Sequence, residues 1–512
     1  MASGAEQENA AVVDLLVVGG GVNGAGIARD AVGRGLSVLL CEKGDLAEGT
    51  SSRSGKLVHG GLRYLEYYEF RLVREALIER EVLLAAAPHI IWPMRFVLPH
   101  DSFLRPAWLL RLGLFLYDHL GGRKRLPPSR GLNLRRDPEG RPLQDRFRRG
   151  FEYSDCWVDD ARLVVLNALG AAERGAGVLT RTECVSLRRQ AGLWHAVLRR
   201  ADGTERQVTA RAVANAAGPW VDRVLTGAAD LTSTKKIRLV RGSHIVVPKF
   251  YDGPQAYLVQ NTDKRVIFIN PYEGGHLLIG TTDIPQSGDP DRVAVDPQEI
   301  AYLCGVVNRA FQRQIGPADV VHAFAGVRPL FDDDAANPSA VTRDYVFDVD
   351  AEGGQAPILS VFGGKITTFR KLAEHALDRL RPFFPAMGPA WTATAALPGG
   401  DMPDFDRWLA GFRQRHPWLP EDLALHYGRL YGTRADALLD GADAVADLGR
   451  PFGGTLYERE ALWLRTQEWA ESAEDILWRR TKHGLHLTPD ETAAFTEWLE
   501  AEPAPAVQAV GR

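Results

Sequence analysis

"DLLVVGGGVNGAGIARDAVGRGLSVLLCEKGD", residues 14 to 45, decides the fold. It reads as an apolar strand over 14–18, a glycine turn, a helix to about residue 33 and a second apolar strand over 36–41. Such a βαβ unit builds a parallel sheet. Gly19, Gly21 and Gly24 supply the G-x-G-x-x-G pattern. The first permits a tight turn, the second lets backbone approach a pyrophosphate, and the third lets helix and strand pack closely. The helix N-terminus then turns its amides toward the phosphates. Glu42 ends the second strand, where a carboxylate can accept hydrogen bonds from both ribose hydroxyls. Strand, turn, helix and acid together predict dinucleotide binding.

This unit is a small part of a chain of 512 residues, 45% hydrophobic and 25% charged, which implies a globular protein of two or three domains. A net charge of -4 argues against a nucleic-acid binder, which carries a basic excess. Cys41, Cys156, Cys184 and Cys304 lie far apart without a C-x-x-C pair. Disulfides and metal sites therefore find no support, and the chain reads as reduced and cytosolic. Residues 1–10 read as a loose tail without the basic start of a secretory signal.

Three features favour FAD over NAD. The βαβ unit is followed at once by "SSRSGKLVHGGLRYLE" (51–66) instead of another regular repeat. In "RAVANAAGPWVD" a strand over 211–216 runs into Ala217-Gly218-Pro219, an ending that lets backbone pass close to a dinucleotide. In "LSVFGGKITTFRKLAEHAL" a buried strand, the Gly363-Gly364 turn and a helix from about Thr367 follow in order. Amides at that helix start can face the pyrimidine end of a flavin. Ordinary packing turns are the plain alternative for the last two.

Farther along, "KIRLVRGSHIVVP" and "RVIFINPYEGGHLLIGTTD", with a Glu273-Gly274-Gly275 hairpin turn, predict an antiparallel sheet interrupting the nucleotide-binding domain. Beyond Pro398-Gly399-Gly400 the texture turns helical. Phe405, Trp408, Leu409 and Phe412 form one stripe, and Ser472 caps "SAEDILWRRTKHG", whose basic run reads as a solvated helix face. The expected fold class is α/β. A discontinuous FAD-binding Rossmann-type domain takes 11–85, 150–235 and 336–395, a β-rich substrate domain 86–149 and 236–335, and an all-α C-terminal domain 396–505.

With "GGGVNGAGIARDA", "TSSRSGKLVHGGLRYLE", "RGFEYSDCWVDDARLV", "RGSHIVVP", "GVRPL", "TRDY" and "FGGKITTFRKLAEHAL" in this order, nearly the whole chain resembles the FAD-dependent glycerol-3-phosphate dehydrogenases of the aerobic, membrane-associated bacterial type. The resemblance implies a glutathione-reductase-like fold, noncovalent FAD, oxidation of sn-glycerol 3-phosphate to dihydroxyacetone phosphate, and transfer of electrons to a membrane quinone. A homodimer, peripheral on the inner face of the cell membrane, is expected. A soluble oxidase using oxygen, an amino-acid-oxidase-like flavoenzyme and a non-catalytic flavin-binding protein are the alternatives.

A phosphorylated substrate brings about two negative charges, which a buried site must match with fixed cations. The resemblance assigns the phosphate to Arg63, Tyr64 and Arg328, with Arg343 a further candidate that is grouped as catalytic with His244 and Lys365. It places Ser51, Ser52 and Lys56, with Gly55, Gly60 and Gly61, on the flavin side of the 51–66 loop, and gives His59 a packing or hydrogen-bonding role. Oxidation of an alcohol by a flavin also needs a base for the hydroxyl proton. His244 is the candidate, and Lys365, beside the Gly363-Gly364 turn, either stabilises developing charge or is itself the base.

Residues 101–150 carry 12 Lys and Arg against 5 Asp and Glu. Within them Trp108, Leu109, Leu112, Leu114, Phe115, Leu116 and Tyr117 make an apolar run too interrupted to cross a bilayer core of about 30 Å. Over 101–126 this composition suits an interfacial contact with anionic lipid.

Overall fold

The first apolar run forms β1 (Val13–Val18), which pairs in parallel with β2 (Val38–Cys41) on one side and with the strand Glu205–Asn215 on the other. The computed structural model describes residues 12–122, 124–233, 235–332 and 344–503. Helix α1 (Val22–Gly33) connects β1 to β2. The parallel part of the sheet runs Ile358–Phe362, Glu205–Asn215, β1, β2, Gly177–Leu179. An antiparallel strand, Val346–Asp350, closes one edge. Both faces of β1 are covered: Leu15 and Val17 pack with Ile27, Leu163 and Leu372, while Leu16 and Val18 pack with Trp194 and Phe362. That is why its sequence is continuously apolar instead of alternating. Each such buried side chain stabilises the fold by about 1.5–3 kcal/mol.

A second sheet of ten strands carries Ile237–Pro248 between His276–Gly280 and His322–Phe331, antiparallel to both. The hairpin read at Glu273-Gly274-Gly275 is present, with Tyr272 opposite His276. One boundary is corrected. Gly150–Val158, assigned above to the nucleotide-binding domain, pairs with Ile91–Pro99 in the second sheet. All nine of its residues are buried, Glu152 and Asp155 in ion pairs with Arg95, Arg130 and Arg80, so no solvent-facing side says which sheet it joins.

The C-terminal unit is built from the helices Phe405–Arg415, Glu421–Tyr431, Glu458–Gln467 and Pro489–Ala501 around Phe412, Tyr427, Leu464 and Phe495. Ser472 Oγ accepts from the Asp475 amide at 3.2 Å, as its capping role requires. The basic run that follows is not solvated. Arg479 Nε donates to Asp45 at 2.6 Å, Arg480 donates to both Asp45 oxygens at 2.8 Å, and Lys482 reaches both Asp159 oxygens at 2.9 and 2.8 Å. All these groups are buried. A run of charge read locally is assigned to water, but here its partners lie elsewhere in the chain, Asp45 more than 430 residues away.

Among the described residues no helix is long and apolar enough to cross a membrane. The apolar run near residue 110 is the helix Ala107–Leu120, which buries Leu114 and Tyr117 and exposes Trp108, Leu112 and Phe115. It packs against Leu62–Tyr67 and Phe70–Ala86, where Tyr67, Tyr68 and Phe70 are also exposed.

Candidate active site

A cavity of about 730 Å³ lies between the two sheets, lined by residues from both. Its floor at one end is the β1–α1 turn. Gly19 adopts φ +111°, and a Cβ on Gly24 would fall 1.9 Å from the Gly19 carbonyl oxygen, so helix and turn touch only because that side chain is missing. No side chain caps α1, although the Val22 amide donates to Ser51 Oγ at 3.0 Å. Glu42 Oε2 accepts from the Gly20 amide at 2.6 Å and Oε1 from the Gly44 amide at 2.9 Å, which fixes the carboxylate at the cavity wall. The loop after the short strand Ile284–Pro285 of the second sheet closes over this end: Asp291 pairs with Lys43 and Arg223, and the Lys43 ammonium sits 4.0 Å from the centre of the Trp220 ring.

The other end collects the reactive groups. His244 stands on Ile237–Pro248, one strand in from an edge of the second sheet, opposite Gly280 on one neighbour and Phe324 on the other. Its ring stacks on Phe324 with centroids 5.0 Å apart. A Cβ on Gly280 would lie 2.1 Å from it. Nδ1 is buried without a hydrogen-bond partner. Burial above all, then the positive charges of Arg328 and Lys56, hold its pKa down to about 3, so the imidazole is neutral at neutral pH. Arg328 is paired with Asp283 and donates to Thr281 Oγ1 at 2.9 Å and to the Thr282 carbonyl at 3.0 Å. Lys365 lies at the start of the turn Ile366–Thr368 with its ammonium 4.0 Å from the centre of the Tyr64 ring. Asn23 donates to the Gly363 carbonyl at 3.3 Å, and Thr367 Oγ1 accepts from the His59 amide at 3.2 Å, tying α1 and the 51–66 loop to this turn.

Residues 14–370 match the FAD dependent oxidoreductase family. The chain belongs to that family. Over 95% of this chain and 97% of its own length, a D-erythritol 1-phosphate dehydrogenase of Brucella abortus is 63% identical. A glycerol-3-phosphate dehydrogenase of Pseudomonas aeruginosa is 58% identical over 96% of both chains, and the aerobic glycerol-3-phosphate dehydrogenase of Escherichia coli 52% over 95% and 97%. The glycerol-3-phosphate dehydrogenase of Bacillus halodurans, solved with FAD, superposes with a TM-score of 0.74 at 26% identity, covering 96% of this chain and 94% of its own.

FAD is therefore the cofactor of this oxidoreductase, and the cavity suits it. Asn23 Oδ1, Trp220 Nε1 and His244 Nδ1 are buried polar atoms without a hydrogen-bond partner, and all three residues line the cavity. Such orphans are costly unless a ligand meets them. Gly19, Gly21, Glu42, Ser51 and Gly218 line the part where the dinucleotide would lie, and Gly363, Gly364, Lys365 and Thr367 line the part where the flavin would. Tyr64, His244 and Arg328 also lie on the wall.

Six sequence-predicted residues lie off the wall, among them Gly61, where a Cβ would meet the Tyr64 ring at 2.3 Å. Gly24 packs helix against turn, as its motif requires. Ser52 turns its carbonyl to Lys56 at 3.2 Å. Lys56 is buried in an ion pair with Asp160 at 2.7 Å, its ammonium 5.6 Å from the centre of the Phe324 ring. Gly60 serves packing, since a Cβ there would meet Leu77 at 2.3 Å. Arg63 is half-buried on the turn that carries Tyr64. Arg343 lies outside the described residues. Arg53, Asn23 and Thr281, unassigned in the sequence reading, do line the cavity. Arg53 stands within "SSRSGK", and the charge of that stretch was the available signal.

Replacing Glu42 with Ala removes the acceptor for two backbone amides and the carboxylate expected from the sequence to meet the ribose. FAD retention on dilution is expected to fall by at least tenfold, a cost of about 1.4 kcal/mol or more. Equilibrium dialysis of free and bound flavin measures it, and unchanged affinity contradicts the assignment.

Proposed function

We propose that the chain oxidises the C2 alcohol of sn-glycerol 3-phosphate to dihydroxyacetone phosphate and that electrons leave to a membrane quinone. The observation that carries this reading is a neutral, buried His244 near Arg328, with Lys365 on the same cavity wall, in a chain 52–58% identical to glycerol-3-phosphate dehydrogenases over nearly its whole length. Bound FAD supplies a two-electron acceptor for hydride. His244 accepts the hydroxyl proton, and its neutral state makes it competent to do so. Arg328, already oriented by Asp283 and Thr281, meets the phosphate, with Arg63, Tyr64 and Arg343 as its proposed companions. Lys365 stabilises negative charge that develops on the substrate oxygen or the reduced cofactor.

A second substrate has its own support. The Brucella abortus relative, at 63% identity, is named for a polyol phosphate one carbon longer than glycerol 3-phosphate. The same base and guanidinium would serve either substrate. Dye-linked assays with both phosphates and with glycerol separate the readings. The higher kcat/KM names the substrate, and comparable turnover of unphosphorylated glycerol would contradict phosphate recognition. In Arg328→Ala, KM for the phosphorylated substrate is expected to rise by roughly 10- to 100-fold, the loss of a charged hydrogen bond worth about 1.5–3 kcal/mol. Equal losses on glycerol would place Arg328 elsewhere.

The exposed Trp108, Leu112 and Phe115 with nearby Lys124 and Arg125 support peripheral contact with an anionic membrane face, where the quinone resides. Leu112→Ser with Phe115→Ser should weaken vesicle binding at every salt concentration. Exchange of Arg123, Lys124 and Arg125 for Ser should weaken it only at low salt. Wild-type binding by both variants, measured by vesicle co-sedimentation, would move the contact to another part of the chain.

A further inference from the structure

The helical unit holds a cluster that the flavin chemistry does not use. His426 on Glu421–Tyr431, Glu460 on Glu458–Gln467 and His483 on the turn His483–Leu485 each bring one nitrogen or oxygen within 4.8 Å of the others. The geometry points to a divalent metal site of the zinc class, with two imidazoles and one carboxylate as ligands. Sequence spacing hid it: 34 residues separate His426 from Glu460, and the expectation of no metal site rested on the scattered cysteines and on local spacing.

Two observations carry the assignment beyond proximity. Glu460 is fully buried and His483 is 2% exposed, yet Glu460 Oε2 and His483 Nδ1 have no hydrogen-bond partner. Each orphan costs about 1–3 kcal/mol, and one cation answers both. The outer contacts are also those that metal ligands require. His483 Nε2 lies 3.2 Å from Thr455 Oγ1, and an N–H donated there leaves the Nδ1 lone pair for the metal. Tyr431 donates its hydroxyl to Glu460 Oε1 at 2.7 Å, which orients the carboxylate. His426 Nε2 lies 2.8 Å from the same oxygen, and the metal takes the place of the proton between them. Imidazole and carboxylate donors suit zinc, with water completing four-coordination.

The site joins two helices to the turn that follows Arg480 and Lys482. Those two residues reach across to Asp45 and Asp159. Zinc here is a structural clip at the seam between the helical unit and the flavin-binding part, and none of its three ligands lines the cavity.

Tag-free holoenzyme, dialysed and then titrated with zinc, is expected to hold about one zinc per chain, and His483→Leu or His426→Gln less than about a tenth. Chelator should lower the melting temperature of the wild type and zinc restore it, while both variants ignore zinc. Flavin reduction should change by less than about twofold in either variant, because neither residue belongs to the catalytic machinery. Should His483→Leu fail to fold, cobalt in the wild type and in His426→Gln gives the same answer, with a visible ligand-field band in the wild type alone. Wild-type holoenzyme that takes up less than about 0.1 zinc or cobalt per chain, or variants that keep the metal, would overturn the site.

Discussion

In His244→Ala, reduction of bound flavin by the substrate is expected to slow by roughly 10² to 10⁴, the usual contribution of a general base. The imidazole is 3% exposed, stacked on Phe324 and pressed by Gly280, so it has one orientation, with Nδ1 unpartnered. Its pKa near 3 belongs to the free cavity, where the Arg328 charge is one of the causes. A bound phosphate dianion offsets that charge and raises the pKa, which makes the imidazole a stronger base when the substrate is present. The acid limb of kcat should accordingly lie at higher pH than any limb that His244 gives kcat/KM. Anaerobic stopped-flow measurement across pH reads both effects. A rate within a few-fold of wild type, with only substrate affinity changed, would pass the role of base to Lys365.

Arg162→Met should lower stability by about 3–5 kcal/mol, because it strands a buried carboxylate. The guanidinium is wholly buried, donates to both oxygens of Glu468, and reaches the Leu430 carbonyl at 2.8 Å. Glu468 is equally buried, and Arg480 Nε, at 4.0 Å, is a weak substitute. Adding Glu468→Gln should return part of the loss, since the pair then carries no unmatched charge. Urea denaturation in excess FAD checks it. Wild-type stability in the single variant, or a further loss in the double variant, would contradict this account of the domain seam.

The parts of the fold that were legible are those whose physics is local. β1, α1 and β2 could be bounded because the apolar runs, the three glycines and the acid that ends β2 all act within about thirty residues. The turn at Gly363-Gly364 could be read for the same reason. Gly150–Val158 was put in the wrong sheet because a strand buried on both faces carries no pattern that names its neighbour. The ion pair of Lys56 was not legible, because its partner, Asp160, is brought in by a helix 104 residues away. Arg479, Arg480 and Lys482 were read as solvated for want of the same long-range information. His244 was identified through its family phrase. What the strand itself could not show was that Gly280 and Phe324 would flank the ring, or that burial, with the Arg328 charge beside it, would keep it neutral.

The central claim is that a phosphorylated polyol delivers hydride to FAD in this cavity. Anaerobic addition of sn-glycerol 3-phosphate, and separately of D-erythritol 1-phosphate, to the holoenzyme, followed by visible flavin absorbance, tests it most directly. At least one of the two should bleach the flavin with about one equivalent of substrate consumed per flavin, the stoichiometry of hydride transfer, and unphosphorylated glycerol should not. Flavin that stays oxidised with both phosphates would contradict the account.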